Sequence, residues 1–500
     1  MADYHIGLDF GTSQTKVCLL NKDSGVREFI RFDNGKYFLP SLIVKNVNNT
    51  FSYGKEDENG TKYRYFKMAA AEDEDLIQVT NEDLEGNLQN GTVDDFRKYS
   101  TDYQIKSEIL VVLYFTYTYL FIKKEKTKKN TQNVAGLLGR LAGNNTTTQN
   151  IFSINLGIPT EWNNPNHIKR KIKFQSLLIT AVELANQFDN LDSYLKENDT
   201  GLLRYISKIN KKHLNELEGK NENQKAEKIK EWLKEYNLSV FPESAAGVNY
   251  LLKTGRLANG SYATLDIGAG TSDIAIFKVQ NNVLRRYYCS ESVEIASNDF
   301  YREYAKQLYQ KESVTFEEIR NVENIIRSNH NLKDIFYNNA RRNVRGFLNG
   351  KGIEFAIRKT FYRKYYKPLH QQNQIKAYKV KNEVLHEKPI IVFGGGANLE
   401  GFCDGYYCFY RGNNPFGYHD RYFDSKRITD FVNQVDIVDE EKVKPFINLL
   451  ILALGLTYTV LNDDDNNSFP FVIPENDFPP SEPQNNDRYF YYDLQDAVYK

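Results

Sequence analysis

Length, composition and charge set the first limits on this chain. Its 500 residues exceed what one hydrophobic core usually supports, so two or more domains are expected. Apolar residues make up 41% of the sequence and aromatic residues 14%, enough to build substantial cores. Lys plus Arg and Asp plus Glu number 65 each, and this balance gives no reason to expect nucleic acid or an anionic membrane as a partner.

The cysteine content and the length of the apolar runs indicate the expected cellular location of the chain. Its four cysteines are too few and too scattered for a disulfide scaffold, so a reducing, cytoplasmic location is expected. The most apolar runs, 109–122 and 446–456, are shorter than the roughly 20 residues that cross a bilayer, and each is predicted to be a buried helix. The first strand begins so early that we expect no signal peptide.

The first predicted element, residues 4–20, has the pattern of a strand, a tight glycine turn and a second strand. Asp9 stands at the end of the first strand. Gly11, Thr12 and Ser13 follow as a turn whose backbone N–H groups and hydroxyls can approach an anion closely. The stretch therefore predicts a phosphate-binding hairpin.

The same design recurs at residues 262–277. Asp266 takes the place of Asp9, and Gly268, Ala269, Gly270 and Thr271 form the second turn. One Asp-x-Gly-Thr turn alone also fits an ordinary hairpin, in which glycine merely permits positive φ. Two copies indicate two matched lobes.

With these two hairpins, the chain resembles the actin-like ATPase superfamily of 70-kDa heat-shock chaperones, actins and sugar kinases. It looks most like the nucleotide-binding domain of DnaK-type chaperones, without a substrate-binding domain. The resemblance covers roughly residues 4–462. It implies an α/β protein of the actin-like ATPase fold, with two ribonuclease-H-like lobes and a nucleotide cleft between them. ATP or ADP and Mg²⁺ are the cofactors that it implies.

The resemblance also orders the chain into domains. We expect lobe I at 1–250, with a small inserted subdomain at 39–105 and a helical insertion at 189–236. Lobe II is expected at 251–462, with a helical adenine-side subdomain at 293–387. An acidic flexible tail is expected at 463–500. The 189–236 insertion is either solvated surface or a partner-docking site.

Three candidate catalytic residues follow from the resemblance. Glu243, between a short strand and a helix, matches the glutamate that orients the attacking water. Asp273 matches the second acidic residue of the second phosphate motif and is expected to assist. Lys67 matches a lysine that reaches the γ-phosphate. Helix capping by Glu243, turn bonding by Asp273 and a solvated Lys67 are the alternatives.

The resemblance assigns the metal and nucleotide contacts as well. Asp9 and Asp266 would face one another across the cleft and hold Mg²⁺ through its water shell. The expected β- and γ-phosphate contacts are Gly11, Thr12 and Ser13 from one lobe and Gly268, Ala269, Gly270 and Thr271 from the other. Gly394, Gly395 and Gly396, which follow a buried strand, would support the ribose and adenine.

The implied function is slow ATP hydrolysis that drives a conformational switch, as in a chaperone ATPase domain. A protein client or a co-chaperone-like partner would fit this function. A filament-forming bacterial actin homologue, favoured by the glycine loop at 394–396, is the first alternative, and it makes self-assembly possible. A small-molecule kinase on the same fold is another, although no sugar-kinase signature accompanies the phosphate loops. A degenerate nucleotide-binding scaffold is disfavoured because Asp9, Glu243 and Asp266 are all present.

Overall fold

The computed structural model describes residues 2–72 (without 34, 56 and 58), 106–134, 150–163, 168–254, 257–293 (without 282), 296–328, 390–398, 425–428 and 437–458. Over these residues the protein is of mixed α/β class, as the sequence predicts. The chain divides into two compact units. The first comprises Met1–Ile158, Pro165–Phe241 and Asp436–Asp439, and the second comprises Pro159–Asn164, Pro242–Val435 and Glu440–Lys500.

The described residues of the first unit form nine strands. Their bounds are β1 Asp3–Phe10, β2 Gln14–Asn21, β3 Arg27–Phe29, β4 Phe38–Pro40, β5 Leu42–Lys45, β6 Phe51–Tyr53, β7 Thr61–Arg64, β8 Ile151–Ile158 and β9 Leu238–Pro242. The main sheet has the order β3-β2-β1-β8-β9, with β4 also paired to β2, and a smaller sheet has the order β6-β5-β7. β1 is antiparallel to β2 and parallel to β8.

The described part of the first unit also contains six α-helices. Their bounds are α1 Phe66–Glu72, α2 Ser107–Val134, α3 Ile168–Ala185, α4 Leu191–Lys196, α5 Asp199–Leu217 and α6 Glu222–Glu235. The apolar run 109–122 lies inside α2, and its side chains from Ile109 to Phe115 are all buried. A helix that is apolar on every side belongs in a core, and α2 packs on α1 and α3 there.

The predicted insertion at 189–236 folds as α4, α5 and α6. Ile229 and Leu233 of α6 are buried, so part of the insertion is core rather than solvated surface. It also contacts the smaller sheet. Lys45 Nζ lies 2.6 Å from Asp199 Oδ2, and the Asp199 N–H donates to the carbonyl of Asn49 at 2.8 Å.

A buried polar network joins α3 to α5 and α6. Glu183 Oε1 accepts hydrogen bonds from Tyr236 Oη at 2.7 Å and Lys212 Nζ at 3.2 Å, and His213 Nε2 lies 3.2 Å away. Burial raises the pKa of Glu183, but the hydrogen bonds to His213 and Tyr236, the charge of His213 and the hydrogen bond to Lys212 outweigh it and lower that pKa to about 2. The glutamate is therefore held as a carboxylate by its own neighbours.

Five strands lie in the part of the second unit that the structure describes. Their bounds are β10 Gly260–Ile267, β11 Ser272–Gln280, β12 Val283–Val293, β13 Ile390–Phe393 and β14 Ser425–Arg427. They form one sheet in the order β12-β11-β10-β13-β14. β10 is antiparallel to β11 and parallel to β13, so the five strands repeat the chain order of the main sheet in the first unit.

The helices described in the second unit are α7 Glu243–Lys253, α8 Ser297–Tyr309, α9 Phe316–Ser328, α10 Glu440–Val443 and α11 Ile447–Leu456. α11 falls within the second apolar run and is buried, as predicted. It packs against α7, where Gly455 lies directly on the Ala246 carbonyl. Of the expected subdomains, residues 73–105 and 329–387 and the tail at 463–500 lie outside the described residues.

Candidate metal and phosphate site

The first glycine turn connects β1 to β2 and is held in place by Ser41. The Gly11 N–H donates to the Gln14 carbonyl at 3.1 Å and closes the turn. Ser41 then spans it from outside, because its hydroxyl donates to the Gly11 carbonyl at 2.7 Å and its N–H donates to the Ser13 carbonyl at 2.9 Å. The turn is half-buried, and Ser41 fixes its backbone. It contains the predicted phosphate residues Gly11, Thr12 and Ser13.

The second glycine turn connects β10 to β11 in the same way. The Gly268 N–H donates to the Thr271 carbonyl at 2.9 Å. The start of α8 supports this turn, because Ser297 donates to the Gly268 carbonyl from its hydroxyl at 2.9 Å and the Asn298 N–H donates to the Ala269 carbonyl at 3.1 Å. The second set of predicted phosphate residues therefore also forms one turn with a fixed backbone.

The two hairpins share one register. In each, the aspartate precedes the turn glycine by two residues and pairs across the strands with the residue seven positions later. Asp9 faces Lys16 in the first hairpin, whereas Asp266 faces Asp273 in the second. The residue opposite the aspartate is therefore a cation, Lys16, in the first hairpin and an anion, Asp273, in the second.

In the first unit, Lys16 forms an ion pair with Asp9. Its Nζ lies 3.1 Å from Asp9 Oδ2, and the side chains are 12% and 2% exposed. The sequence interpretation omitted Lys16 from the site. Aligning the two hairpins on their aspartates would have shown it, because the aligned position in the second motif is the candidate Asp273.

In the second unit, three predicted site residues lie together. Glu243, Asp266 and Asp273 are all buried, and each offers a carboxylate oxygen within 4.8 Å of the others. Asp266 and Asp273 come from neighbouring strands, and Glu243 is the first residue of α7. Carboxylate oxygens are the ligands that Mg²⁺ and Ca²⁺ prefer, so the donor set fits a hard divalent cation.

The glycine loop after β13 lies directly on this cluster. Gly394 has a φ of +86°, and a Cβ there would collide with Asp266 Oδ1 and the Ile267 carbonyl. Its N–H donates to the Asn448 carbonyl of α11 at 3.0 Å. Gly395 and Gly396 begin a 3-10 turn that ends at Asn398. Only a glycine permits this conformation and this approach together, so Gly394 borders the carboxylates. Gly395 and Gly396 instead lie against Leu449 and Ile267.

The residue that fixes the start of α7 was not predicted. Pro242 occupies the N-cap and provides no side-chain hydrogen bond. Thr160 provides the capping hydrogen bond instead, because its Oγ1 accepts from the Ser244 N–H at 3.0 Å and donates to Ser244 Oγ at 2.6 Å. Both side chains are 1% exposed. Thr160 therefore caps, from another segment, the first turn of the helix that carries Glu243.

Lys67 is in α1 of the first unit. Its side chain is 6% exposed, and its Nζ lies 5.6 Å from the ring centroid of Phe10, the residue after Asp9. A cation over an aromatic face is a favourable contact. A solvated lysine, the alternative interpretation, does not fit this burial. Lys67 and Lys16 thus place two cations in the same unit as the first phosphate turn.

No helix in the described part of the chain combines the length and the apolar composition needed to cross a membrane. No protein-family model matches the chain, and a search of curated proteins finds none that is significantly similar.

Proposed function

We propose that this chain is a Mg²⁺-dependent ATPase of the actin-like kind, with the two glycine turns on the phosphates of one nucleotide. The observation that carries the proposal is the cluster of Glu243, Asp266 and Asp273, which borders Gly394 within one unit. Buried carboxylates beside a glycine loop are a donor set for a cation and a nucleotide rather than for an apolar ligand.

The repeated sheet supports the proposed fold. The main sheet of each unit contains five strands in the same chain order, and each unit has a glycine turn and an aspartate in the same register of its leading hairpin. Two matched lobes are what an actin-like ATPase requires.

In this proposal the chain's own residues bind the phosphates and position the water. Backbone N–H groups of the two turns bind phosphoryl oxygens, and Lys16 and Lys67 contribute positive charge on the side of the first unit. Asp266 would hold Mg²⁺ in the second unit, with Asp9 as its partner from the first. Bound Mg²⁺ would neutralise charge on the phosphates.

Glu243 orients the attacking water and accepts its proton. Its place at the start of a capped helix fixes the carboxylate, and Asp273 assists from the neighbouring strand. ATP would favour a closed arrangement and ADP an open one, which makes hydrolysis a conformational switch.

The test is Mg²⁺-dependent phosphate release from ATP by the purified chain and by Asp9→Asn. The parent should hydrolyse ATP slowly and only with Mg²⁺, and the variant should be slower. Equal rates would overturn the role of Asp9 in metal binding. Absence of ATP binding and hydrolysis by the parent would overturn the function itself.

A further inference from the structure

The start of helix α3 carries a run of cations. Lys169, Arg170 and Lys171 follow one another in its first turn, and Lys173 comes two residues later. Lys169 is exposed and Lys171 is half-buried, whereas Lys173 is fully buried. The buried amine of Lys173 is balanced, because its Nζ lies 3.1 Å from Glu108 Oε1 of α2. Lys171 therefore lies between a solvated lysine and a buried, paired one.

Helix α6 brings a further lysine to this part of α3. The two helices pack together, and Lys230 of α6 lies close enough for its charge to act on Lys171. Ile229, the residue before Lys230, is fully buried, which fixes the backbone of α6 at this point. Lys230 also lies 2.6 Å from Glu227 in an exposed ion pair. The network around Glu183 is remote, because that residue follows Lys171 by twelve positions, about 18 Å along the helix axis.

Burial and the charge of Lys230 both disfavour the ammonium form of Lys171. Together they lower the pKa of Lys171 from 10.5 to about 8. At pH 8 about half of the Lys171 amines are therefore uncharged, on the order of 100-fold more than for an ordinary lysine. The uncharged amine is the nucleophilic form of lysine, and a half-buried position leaves it open to a small electrophile.

We propose that Lys171 is a carbamylation site for CO₂, with Lys230 stabilising the carbamate. The lone pair of Lys171 Nζ attacks the carbon of CO₂, a C–N bond forms, and one C–O π electron pair moves onto oxygen. The nitrogen then loses a proton to water or to a buffer base, so the side chain changes from a cation to an anion. The step needs no oxidant or reductant.

The surroundings of Lys171 favour the carbamate over the ammonium ion. The ammonium ions of Lys171 and Lys230 repel one another, whereas a carbamate and Lys230 attract. The carbamate also lies in the first turn of α3, where the helix dipole stabilises an anion. Carbamylation therefore strengthens the contact between α6 and α3. This proposal does not depend on ATP hydrolysis.

The test is trapping with triethyloxonium, which ethylates a carbamate and makes it stable enough for mass spectrometry. The full-length protein is incubated with ¹³C-bicarbonate at pH 8, trapped and digested. We expect labelled ethyl carbamate on Lys171, with an occupancy that rises with the CO₂ concentration. The occupancy of Lys169, a more exposed lysine of the same helix and the matched control, should be lower by about tenfold or more.

Variants of the two lysines sharpen the test. Lys171→Arg should lose the label. Lys230→Glu replaces the stabilising cation with an anion and should lower the occupancy of Lys171 several-fold, whereas Lys230→Arg should retain it. The side chain of Lys230 is 62% exposed, so both substitutions should leave the fold intact, which thermal unfolding checks.

Three results would overturn the proposal. Equal labelling of Lys171 and Lys169 would mean that exposure alone governs the reaction. Unchanged labelling of Lys171 in Lys230→Glu would show that the neighbouring cation does not stabilise the product. Absence of label from Lys171 at saturating CO₂, while a reference peptide in the same tube is trapped normally, would contradict carbamylation itself.

Discussion

The two glycine-turn hairpins have the same backbone register and opposite electrostatics. Asp9 in the first faces Lys16 at 3.1 Å, and Asp266 in the second faces Asp273, with Glu243 close to both. Like charges at directly opposed strand positions destabilise a sheet, whereas opposite charges stabilise it. One hairpin is therefore built around an internal ion pair, and the other around a group of carboxylates suited to a cation.

The largest expected effect comes from removing the carboxylate of Glu243. Glu243→Gln keeps the shape of the side chain but removes the proposed proton acceptor, so kcat for ATP hydrolysis should fall by about 10²–10⁴-fold. ATP affinity should change little, and both values come from phosphate-release kinetics and equilibrium binding.

Glu323→Gln is the control for this variant. Glu323 is also a buried glutamate of the second unit, but it pairs with Arg320 at 2.6 Å and lies outside the cluster. This variant should alter stability without altering kcat. A hydrolysis rate that falls equally in both variants would contradict the assignment of Glu243.

Neutralising the equivalent hairpin positions should change stability in opposite directions. Lys16→Met leaves Asp9 buried without its cation and should lower the free energy of unfolding by about 3 kcal/mol. Asp273→Asn removes repulsion with Asp266 and should raise the unfolding free energy in buffer with a chelator. Urea unfolding of each variant measures both changes. Destabilisation of similar size in both would show that the two hairpins do not differ as described.

Mg²⁺ should stabilise the parent and not a variant of the cluster. A ligand that binds only the folded state adds about 2.7 kcal/mol at 100 times its Kd. Thermal unfolding with Mg²⁺ and with a chelator should therefore differ for the parent, and the difference should vanish in Asp266→Asn. Asp192→Asn, an exposed carboxylate on α4, is the control and should keep the full Mg²⁺ effect. Stabilisation by Mg²⁺ that persists in Asp266→Asn would contradict the site.

Glu183, like Asp9, is a carboxylate of the first unit that its own neighbours stabilise. Its pKa of about 2 lies below the ordinary value of 4.5, so its contribution to stability is complete above pH 4.5 and is lost as the pH falls towards 2. Glu183→Gln should be less stable than the parent at neutral pH, and the difference should shrink through that range. Glu231→Gln, which alters a 68% exposed glutamate, should show little difference at any pH. A stability difference for Glu183→Gln that stays constant with pH would contradict the network.

The smallest expected effect concerns the cap of α7. Thr160→Val removes the oxygen that accepts from the Ser244 N–H, and loss of a cap costs about 1 kcal/mol. Because that turn carries Glu243, kcat should fall several-fold, and Thr160→Ser should restore both values. Unfolding and phosphate release on the two variants test this. Loss of stability without any change in kcat would reduce Thr160 to a structural role.

Local features of the site could be predicted from the sequence, and long-range ones could not. The strands, the glycine turns and Asp9 and Asp266 follow from patterns within each hairpin. The buried helices α2 and α11 follow from their continuous apolar runs. By contrast, the bond between Thr160 and Ser244 joins residues 84 positions apart and leaves no local pattern.

The environment of the charged groups could not be predicted from the sequence either. The partners of Glu183 come from α5 and from the end of α6, and only helix packing brings them together. Gly394 could be predicted as a loop glycine, but its positive φ and its approach to Asp266 depend on the pairing of β10 with β13. Sequence patterns identify the groups, and tertiary packing decides which of them meet.

The most direct test of the proposed Mg²⁺-dependent ATPase is phosphate release by the purified parent chain, measured with ATP in the presence and absence of Mg²⁺. Light scattering recorded in the same cuvette would report filament assembly. We expect slow, Mg²⁺-dependent release with constant scattering. Release with rising scattering would indicate a polymerising actin homologue instead, and absence of both Mg²⁺-dependent release and ATP binding would contradict the proposed function.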